Sequence, residues 1–295
     1  MCREEEAIKM TTPLELKTRS KIQWCPGCGN FGILTALKGA IAEAGLERHN
    51  TCIVSGIGCS GKTPQYVNVY SFEGIHGRVL PVAAGIKLSN HKLTIIGHSG
   101  DGDGYGIGMC HFMHALRRNI DMTYIVHDNQ IYGLTKGQYS PTSDKGFSTK
   151  SAPEGAIEEP VKPLELAIAG GATFVSRGFV GELDHLKKLI IQAIKHRGFA
   201  LVDILQPCVS FNYKNTYKWY KERVYKLEEM KDYNPENKMQ ALEKAFEWGD
   251  KIPIGVFYKE SKNLYEDYLP QIKDVPLVEQ KIENIDITNM MREFV

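Results

Sequence analysis

Short runs rich in β-branched residues alternate with helix-like segments, and the first three such runs and the last end directly in loops of unusual composition. Strand-like runs lie at 52–57, 93–98, 122–127, 173–176 and 199–205. The segments at 31–45, 80–88, 106–118, 163–169 and 183–196 read as helices; in the first, Ile33, Leu34, Leu37, Ile41 and Ala44 recur on one face and Gly45 follows. Strand–helix alternation implies a doubly wound parallel sheet with helices on both faces. A lead-in over 1–23, a main α/β domain over 24–232 and a C-terminal extension over 233–295 are expected. The extension should hold one helix (237–248) and one strand (253–258).

In an open α/β sheet the loops after the strands share the carboxyl edge, where such folds bind ligands. Here they read Gly58-Cys59-Ser60-Gly61-Lys62, Ser99-Gly100-Asp101-Gly102-Asp103-Gly104, Asp128-Asn129-Gln130-Ile131-Tyr132-Gly133 and Gln206-Pro207-Cys208. The connection over 136–160, rich in Pro, Ser, Thr and Gly, is expected to be functional.

Gly100-Asp101-Gly102 follows one strand and Asn129 ends the next. Mg²⁺ takes oxygen ligands in a nearly octahedral set, commonly one or two from protein and others from phosphate. A carboxylate from Asp101, an amide oxygen from Asn129 and the carbonyl of Ile131 could hold a metal-bound diphosphate. Gly102 and Gly104 would let the backbone approach phosphates, and the following helix would offer free N–H groups. A plain turn is the simple alternative for Gly-Asp-Gly alone. Asp103 could take the metal role in the overlapping register; Asp101 is preferred because it comes first after the strand.

Seven cysteines, an odd number, argue against a disulfide framework and for thiol chemistry or metal ligation. Cys25-Pro26-Gly27-Cys28 resembles a thioredoxin pair but lacks the preceding buried strand, and a zinc ribbon would need a second such pair. Cys59 and Cys208 each follow a strand on the ligand-binding edge. Two plus one plus one supplies the four thiolates of a 4Fe–4S cluster, with structural zinc as competitor. Cys52 and Cys110 are read as ordinary buried residues and Cys2 as a terminal thiol.

The 36 Lys and Arg against 35 Asp and Glu give a net charge of +1, which disfavours nucleic acid as a partner. No apolar stretch approaches the roughly 20 residues of a membrane span, and Glu4–Glu6 oppose a signal peptide, so a cytoplasmic protein is expected.

With these motifs in this order, the chain resembles the β subunit of 2-oxoacid:ferredoxin oxidoreductases. The resemblance is carried by Trp24-Cys25-Pro26-Gly27-Cys28-Gly29, Gly56-Ile57-Gly58-Cys59-Ser60, Gly74-Ile75-His76-Gly77-Arg78, the Gly100–Gly104 stretch and the string from Asp128 to Gln138. It implies a thiamine diphosphate-binding fold. It assigns Mg²⁺ to Asp101, Asn129 and the Ile131 carbonyl, and the cluster to Cys25, Cys28, Cys59 and Cys208. Cofactor contacts would come from Ile57, Gly58, Cys59, Ser60, His76, Gly102, Asp103, Gly133 and Leu134. His76, Lys62, Arg78 and Lys136 would serve catalysis, the three cations near substrate carboxylate or phosphate, although loop cations are usually just solvated.

The implied reaction is coenzyme A-dependent oxidative decarboxylation of a 2-oxo acid to acyl-CoA and CO₂, with electrons leaving through the cluster to ferredoxin. Leu134-Thr135-Lys136-Gly137-Gln138 is closer to the 2-oxoglutarate type than to the pyruvate type. A pyruvate or broad-range enzyme, a thiamine-dependent component without a cluster, and a non-catalytic iron–sulfur subunit are the alternatives. An α subunit is implied, giving a hetero-oligomer with a shared active site. Finally, Tyr213, Tyr217, Tyr220 and Val224 fall on one helical stripe beside Lys214, Lys218 and Lys221, so a basic helix over 213–226 is expected to help recruit ferredoxin.

Overall fold

The computed structural model describes residues 11–283 and 286–294. Ten strands and eight α-helices follow one another along it. The strands are β1 (Thr51–Ser55), β2 (Tyr70–Glu73), β3 (Thr94–Gly100), β4 (Met122–Asp128), β5 (Ile131–Tyr132), β6 (Gln138–Tyr139), β7 (Phe174–Phe179), β8 (Phe199–Leu205), β9 (Val224–Lys226) and β10 (Ile252–Lys259). The helices are α1 (Asn30–Glu43), α2 (Val79–Ser89), α3 (Met109–Arg118), α4 (Pro163–Gly170), α5 (Leu183–Lys195), α6 (Tyr217–Lys221), α7 (Lys238–Ala245) and α8 (Thr288–Arg292).

Eight strands form one sheet in the order β2-β1-β3-β4-β8-β7-β10-β9. All neighbours run parallel except β10 against β7. Central strands β1, β4, β7 and β8 are buried along their whole length, as parallel strands covered on both faces must be. Helices α1 and α5 cover one face, packing Leu37, Ile41 and Ile190 over Ile125 and Val202; Phe112, Leu116 and Ile168 fill the other beneath α2, α3, α4 and α7.

From β1 the chain moves outward to β2 and then returns to the other side of β1 as β3. That reversal opens a crevice at the carboxyl ends of β1 and β3, the usual ligand position in such sheets.

Four expectations change. The strand expected at 253–258 joins the main sheet as β10, antiparallel to β7, and β9 pairs with it in turn, so the segment after 232 contributes to the main core. The helix expected from 106 starts at Met109, because residues 102–107 form a π-helical turn in which Gly106 leaves helical geometry. The helix expected over 213–226 shrinks to α6: Asn212 Oδ1 takes the Lys214 and Asn215 amides in a turn, Thr216 caps the helix at Trp219, and 224–226 is drawn off into β9. Cys110 is exposed, whereas Cys52 is buried, and Cys2 lies outside the described residues. The lead-in docks through fully buried Leu16. Among the described residues no helix is long and apolar enough to cross a membrane.

Candidate active site

The loops after β1, β3, β4 and β8 meet at the crevice, and Asp103 ties two of its walls together. Its Oδ1 accepts from the Ile57 amide (3.1 Å) and the Gly77 amide (2.7 Å) and lies 2.6 Å from His76 Nδ1. Oδ2 accepts from Ser99 Oγ at 2.7 Å. With its oxygens used this way and the residue only 2% exposed, Asp103 clamps the loop after β1 to the loop after β2. His76, opposite, keeps its side chain 40% exposed.

Asp101 sits differently. Its Oδ2 accepts from Ser140 Oγ and from Thr142 Oγ1, the latter at 2.7 Å. Burial pushes its carboxyl up to about 6, against the lowering effect of those two hydroxyls. Thr142 Oγ1 is also 2.7 Å from Asp128 Oδ1. One hydroxyl proton can serve only one carboxylate, so the second contact is satisfied by a protonated Asp128. Burial, then the neighbouring Asp203 and Asp101, hold that group well above the usual carboxylate range.

Asn129 Oδ1 accepts from the Ile131 amide at 3.1 Å, across Gln130, which adopts a left-handed φ of 56°. This conformation is costly for a residue with a side chain. It is held by Gln130 Nε2 donating to the Thr142 carbonyl (3.0 Å) and by Ser143 Oγ donating to the Gln130 carbonyl (2.6 Å). Asn212 Nδ2 donates to the Asn129 carbonyl from the far side at 3.0 Å.

Cys25, Cys28, Cys59 and Cys208 are free thiols that line one cavity of about 270 Å³. Trp24, Asn129, Gly133 and Leu134 share its wall. A Cβ added to Gly133 would stand 3.7 Å from Cys208 Sγ and 3.8 Å from Cys59 Sγ, so this glycine fits between two thiols. Cys25 and Cys28 are brought together by a tight turn in which the Cys28 amide donates to the Cys25 carbonyl (3.0 Å) and Gly27 takes φ 81°. Trp24 Nε1 donates to the Cys59 carbonyl at 2.7 Å, locking that loop to the cysteine pair. Burial pushes the Cys28 thiol up to about 12, and the other three cysteines add to the effect; burial also raises Cys59. Among the described residues, no group of three or more His, Cys, Asp or Glu side chains closes to the distances of a single metal ion.

The remaining expected site residues fall into three places. Lys62 and Lys136 line the thiol cavity; Lys62 Nζ donates to Gln23 Oε1 and Lys136 takes φ 75°. Arg78 caps the start of α2, its Nη1 donating to the Gly77 carbonyl at 3.4 Å. Ile57, Gly58 and Ser60 form the turn after β1, with Gly58 at φ 121° and Ser60 buried against Gly100. Gly102 and Gly104 have a packing reason of their own: a Cβ at Gly102 would lie 2.1 Å from the Tyr132 ring and one at Gly104 2.3 Å from the Tyr124 hydroxyl. Sequence reasoning did not single out Ser140, Thr142 or Gln206. The first two lie in the 136–160 connection expected to be functional, and the last stands two residues before Cys208 on the binding edge.

The family described as "Thiamine pyrophosphate enzyme, C-terminal TPP binding domain" matches residues 56–204, which include Asp101, Asn129 and Ile131. The C-terminal region of the family described as "Pyruvate ferredoxin oxidoreductase beta subunit" matches residues 208–274. A 2-oxoacid:ferredoxin oxidoreductase subunit β from Sulfolobus sp is 49% identical over 261 residues, 85% of this chain and 85% of that one. The chain belongs to the 2-oxoacid:ferredoxin oxidoreductase β subunits.

The subunit β of Saccharolobus solfataricus is 45% identical over 291 residues, covering 92% of this chain and 95% of the relative. A solved 2-oxoglutarate:ferredoxin oxidoreductase from Magnetococcus marinus, with 2-oxoglutarate, coenzyme A and succinyl-CoA bound, superimposes with a TM-score of 0.88 at 36% identity over 96% of both chains. This β subunit therefore carries a thiamine diphosphate-binding domain of mostly parallel α/β architecture and is an oxidoreductase subunit. As a β subunit it implies an α-subunit partner.

Proposed function

We propose that this chain, with its α subunit, oxidatively decarboxylates 2-oxoglutarate to an acyl-CoA, and that it holds both an Mg²⁺-bound diphosphate and a 4Fe–4S cluster. The observation that carries the reading is a shared wall: Asn129 lines the same cavity as the four thiols, while Thr142 bridges its neighbour Gln130 to Asp101. Asp101, Asn129 and the Ile131 carbonyl would hold the metal. Asp101 is preferred to Asp103 because it comes first after β3, whereas Asp103 spends its oxygens tying the loops after β1 and β2 together. The chemistry of the thiol set fits a cluster, because the cysteines ring a cavity instead of converging on one ion.

Thiamine diphosphate supplies a carbon nucleophile and electron sink when bound, and a cluster beside it supplies a one-electron acceptor. The residues here supply position. The Asp103 clamp fixes Ile57, Gly58 and His76 beside the crevice, leaving the His76 ring partly exposed to reactants. Trp24 and Leu134 add apolar surface to the wall of the thiol cavity. Lys62 and Lys136 add positive charge to its wall, and Arg78 does so at the start of α2. The carboxylate that activates the thiamine ring would come from the α subunit, and ferredoxin would collect electrons near the thiol face. A reducing cytoplasm would keep the six described cysteines free.

The choice of 2-oxoglutarate rests on the substrate of the Magnetococcus marinus enzyme and on the Leu134–Gln138 string. A broader 2-oxo acid range is the second reading, favoured by the relatives at 45% and 49% identity, named only for 2-oxo acids. An anaerobic assay of the reconstituted α–β complex with 2-oxoglutarate, pyruvate and 2-oxobutyrate decides between them. Preference for 2-oxoglutarate with coenzyme A-dependent ferredoxin reduction is expected; equal turnover of all three would select the broad-range reading. Substantial turnover by the purified β chain alone would refute the shared site.

A further inference from the structure

Gln206 ends the loop entry after β8, is 1% exposed, and touches both halves of the site. Its Oε1 accepts from Asn129 Nδ2 at 3.0 Å. Its Nε2 donates to the Pro207 carbonyl at 2.9 Å and to Cys28 Sγ at 3.5 Å. The amide cannot be turned over: exchange would set N–H against the Asn129 amide nitrogen, and oxygen against both a carbonyl and sulfur. Room for it is reserved by Gly29, where a Cβ would stand 2.7 Å from Gln206 Cγ. The neighbouring Asn30 is consistent with a wall that presents donors: its Oδ1 faces His127 Nδ1 at 2.8 Å, while its buried Nδ2 has no partner.

We propose that Gln206 is a positioning residue that couples the diphosphate-metal edge to the redox centre. The inference rests on the reading that Asn129 holds the metal and Cys28 the cluster. The Asn129 bond fixes which end of that amide is oxygen, and Oδ1, which already takes the Ile131 amide, has a second lone pair for the metal. The Cys28 bond favours the reduced cluster, whose sulfurs carry more negative charge. A metal drawing electron density from Asn129 Oδ1 makes Asn129 N–H a stronger donor, which polarises the Gln206 amide and strengthens its bond to sulfur. Cofactor loading therefore raises the tendency of the cluster to be reduced, and by linkage reduction tightens the cofactor.

The test is an EPR-monitored reductive titration with dithionite of the α–β complex, prepared with and without Mg²⁺ and thiamine diphosphate. Wild type is compared with Gln206→Leu and Gln206→Glu. In wild type, loading is expected to raise the ratio of reduced to oxidised cluster at a fixed potential. In Gln206→Leu that ratio falls about tenfold, equivalent to 59 mV for one electron, and the loading effect disappears. Gln206→Glu keeps the acceptor for Asn129 but, as a carboxylate, loses the donor to sulfur, so the ratio falls and the loading effect disappears; this arm also covers a Leu variant that fails to assemble. An unchanged ratio in the variant that assembles, or an undiminished loading effect, overturns the coupling. Wild type without iron or an EPR signal instead overturns the cluster reading on which the coupling rests.

Discussion

His76 Nδ1 lies 2.6 Å from Asp103 Oδ1, so the histidine at the mouth of the crevice is oriented by the carboxylate that clamps the crevice walls. One group thus sets both the aim of a candidate catalytic ring and the spacing of the loops around it.

Asp103→Ala leaves the part-buried Ile57 amide, the buried Gly77 amide and the Ser99 hydroxyl without their acceptor. The expected cost is roughly 3–5 kcal/mol of stability, read by denaturant unfolding. Asp103→Asn keeps some of the acceptors and is expected to fold while losing the His76 orientation. If instead Asp103→Ala unfolds within about 0.5 kcal/mol of wild type, the range of an ordinary surface change, the clamp has no energetic weight.

With Asp101 holding Mg²⁺ as proposed, metal-dependent cofactor binding would be sensitive to acid. Mg²⁺ needs the carboxylate, and burial pushes this carboxyl up to about 6, so protons compete with metal below that pH. Titrating Mg²⁺ and thiamine diphosphate calorimetrically should give flat affinity above this range and about tenfold weaker binding per pH unit beneath it. The sign for the metal-free fold is opposite to that of a salt-bridged carboxylate: with its folded value raised above the ordinary 3.8, Asp101 contributes stability at low pH that is lost as pH rises from 3.8 to about 6. Binding that strengthens on acidification would contradict this assignment.

The reading of 213–226 as one basic helix failed because Tyr213, Tyr217 and Tyr220 imitate a helical stripe, while a turn at Asn212 takes its first end and β10 its last. Tyr213 is 79% exposed, Tyr220 is fully buried, and β10 recruits Val224–Lys226. The central strands were legible because burial on both faces forces near-continuous apolar runs. Edge strand β2 was not, since all four of its residues face solvent. Within the site, Asp101, Asn129 and the cysteines stand out by residue type and loop position. Gln206, Ser140 and Thr142 are ordinary polar residues whose roles depend on partners 14 to 178 positions away, which no local pattern encodes.

The same correction narrows any electrostatic steering of ferredoxin. Lys214 is held by Asp144 at 2.7 Å, whereas Lys218 is 87% exposed on α6. The double variant Lys218→Glu and Lys221→Glu is expected to slow ferredoxin reduction several-fold at low salt, with the difference fading as ionic strength rises. Stopped-flow reduction rates across a salt series measure this; parallel salt curves for variant and wild type would remove α6 from the docking surface.

Gly133 offers a way to exclude the proposed cluster without touching its proposed ligands. An added Cβ would sit at ordinary contact distance from Cys59 Sγ and Cys208 Sγ, so Gly133→Ala should fold and retain iron. In Gly133→Val the branched methyls extend from that Cβ into the space between the two sulfurs. Overfilling a tight site costs about 1–3 kcal/mol, a loss a central sheet of fully buried strands is expected to survive. Iron analysis and visible spectroscopy after anaerobic reconstitution should therefore show near-normal iron in the alanine variant and little in the valine variant, with matched circular dichroism. A valine variant carrying a full complement of iron would mean that the metal lies elsewhere than between Cys59 and Cys208.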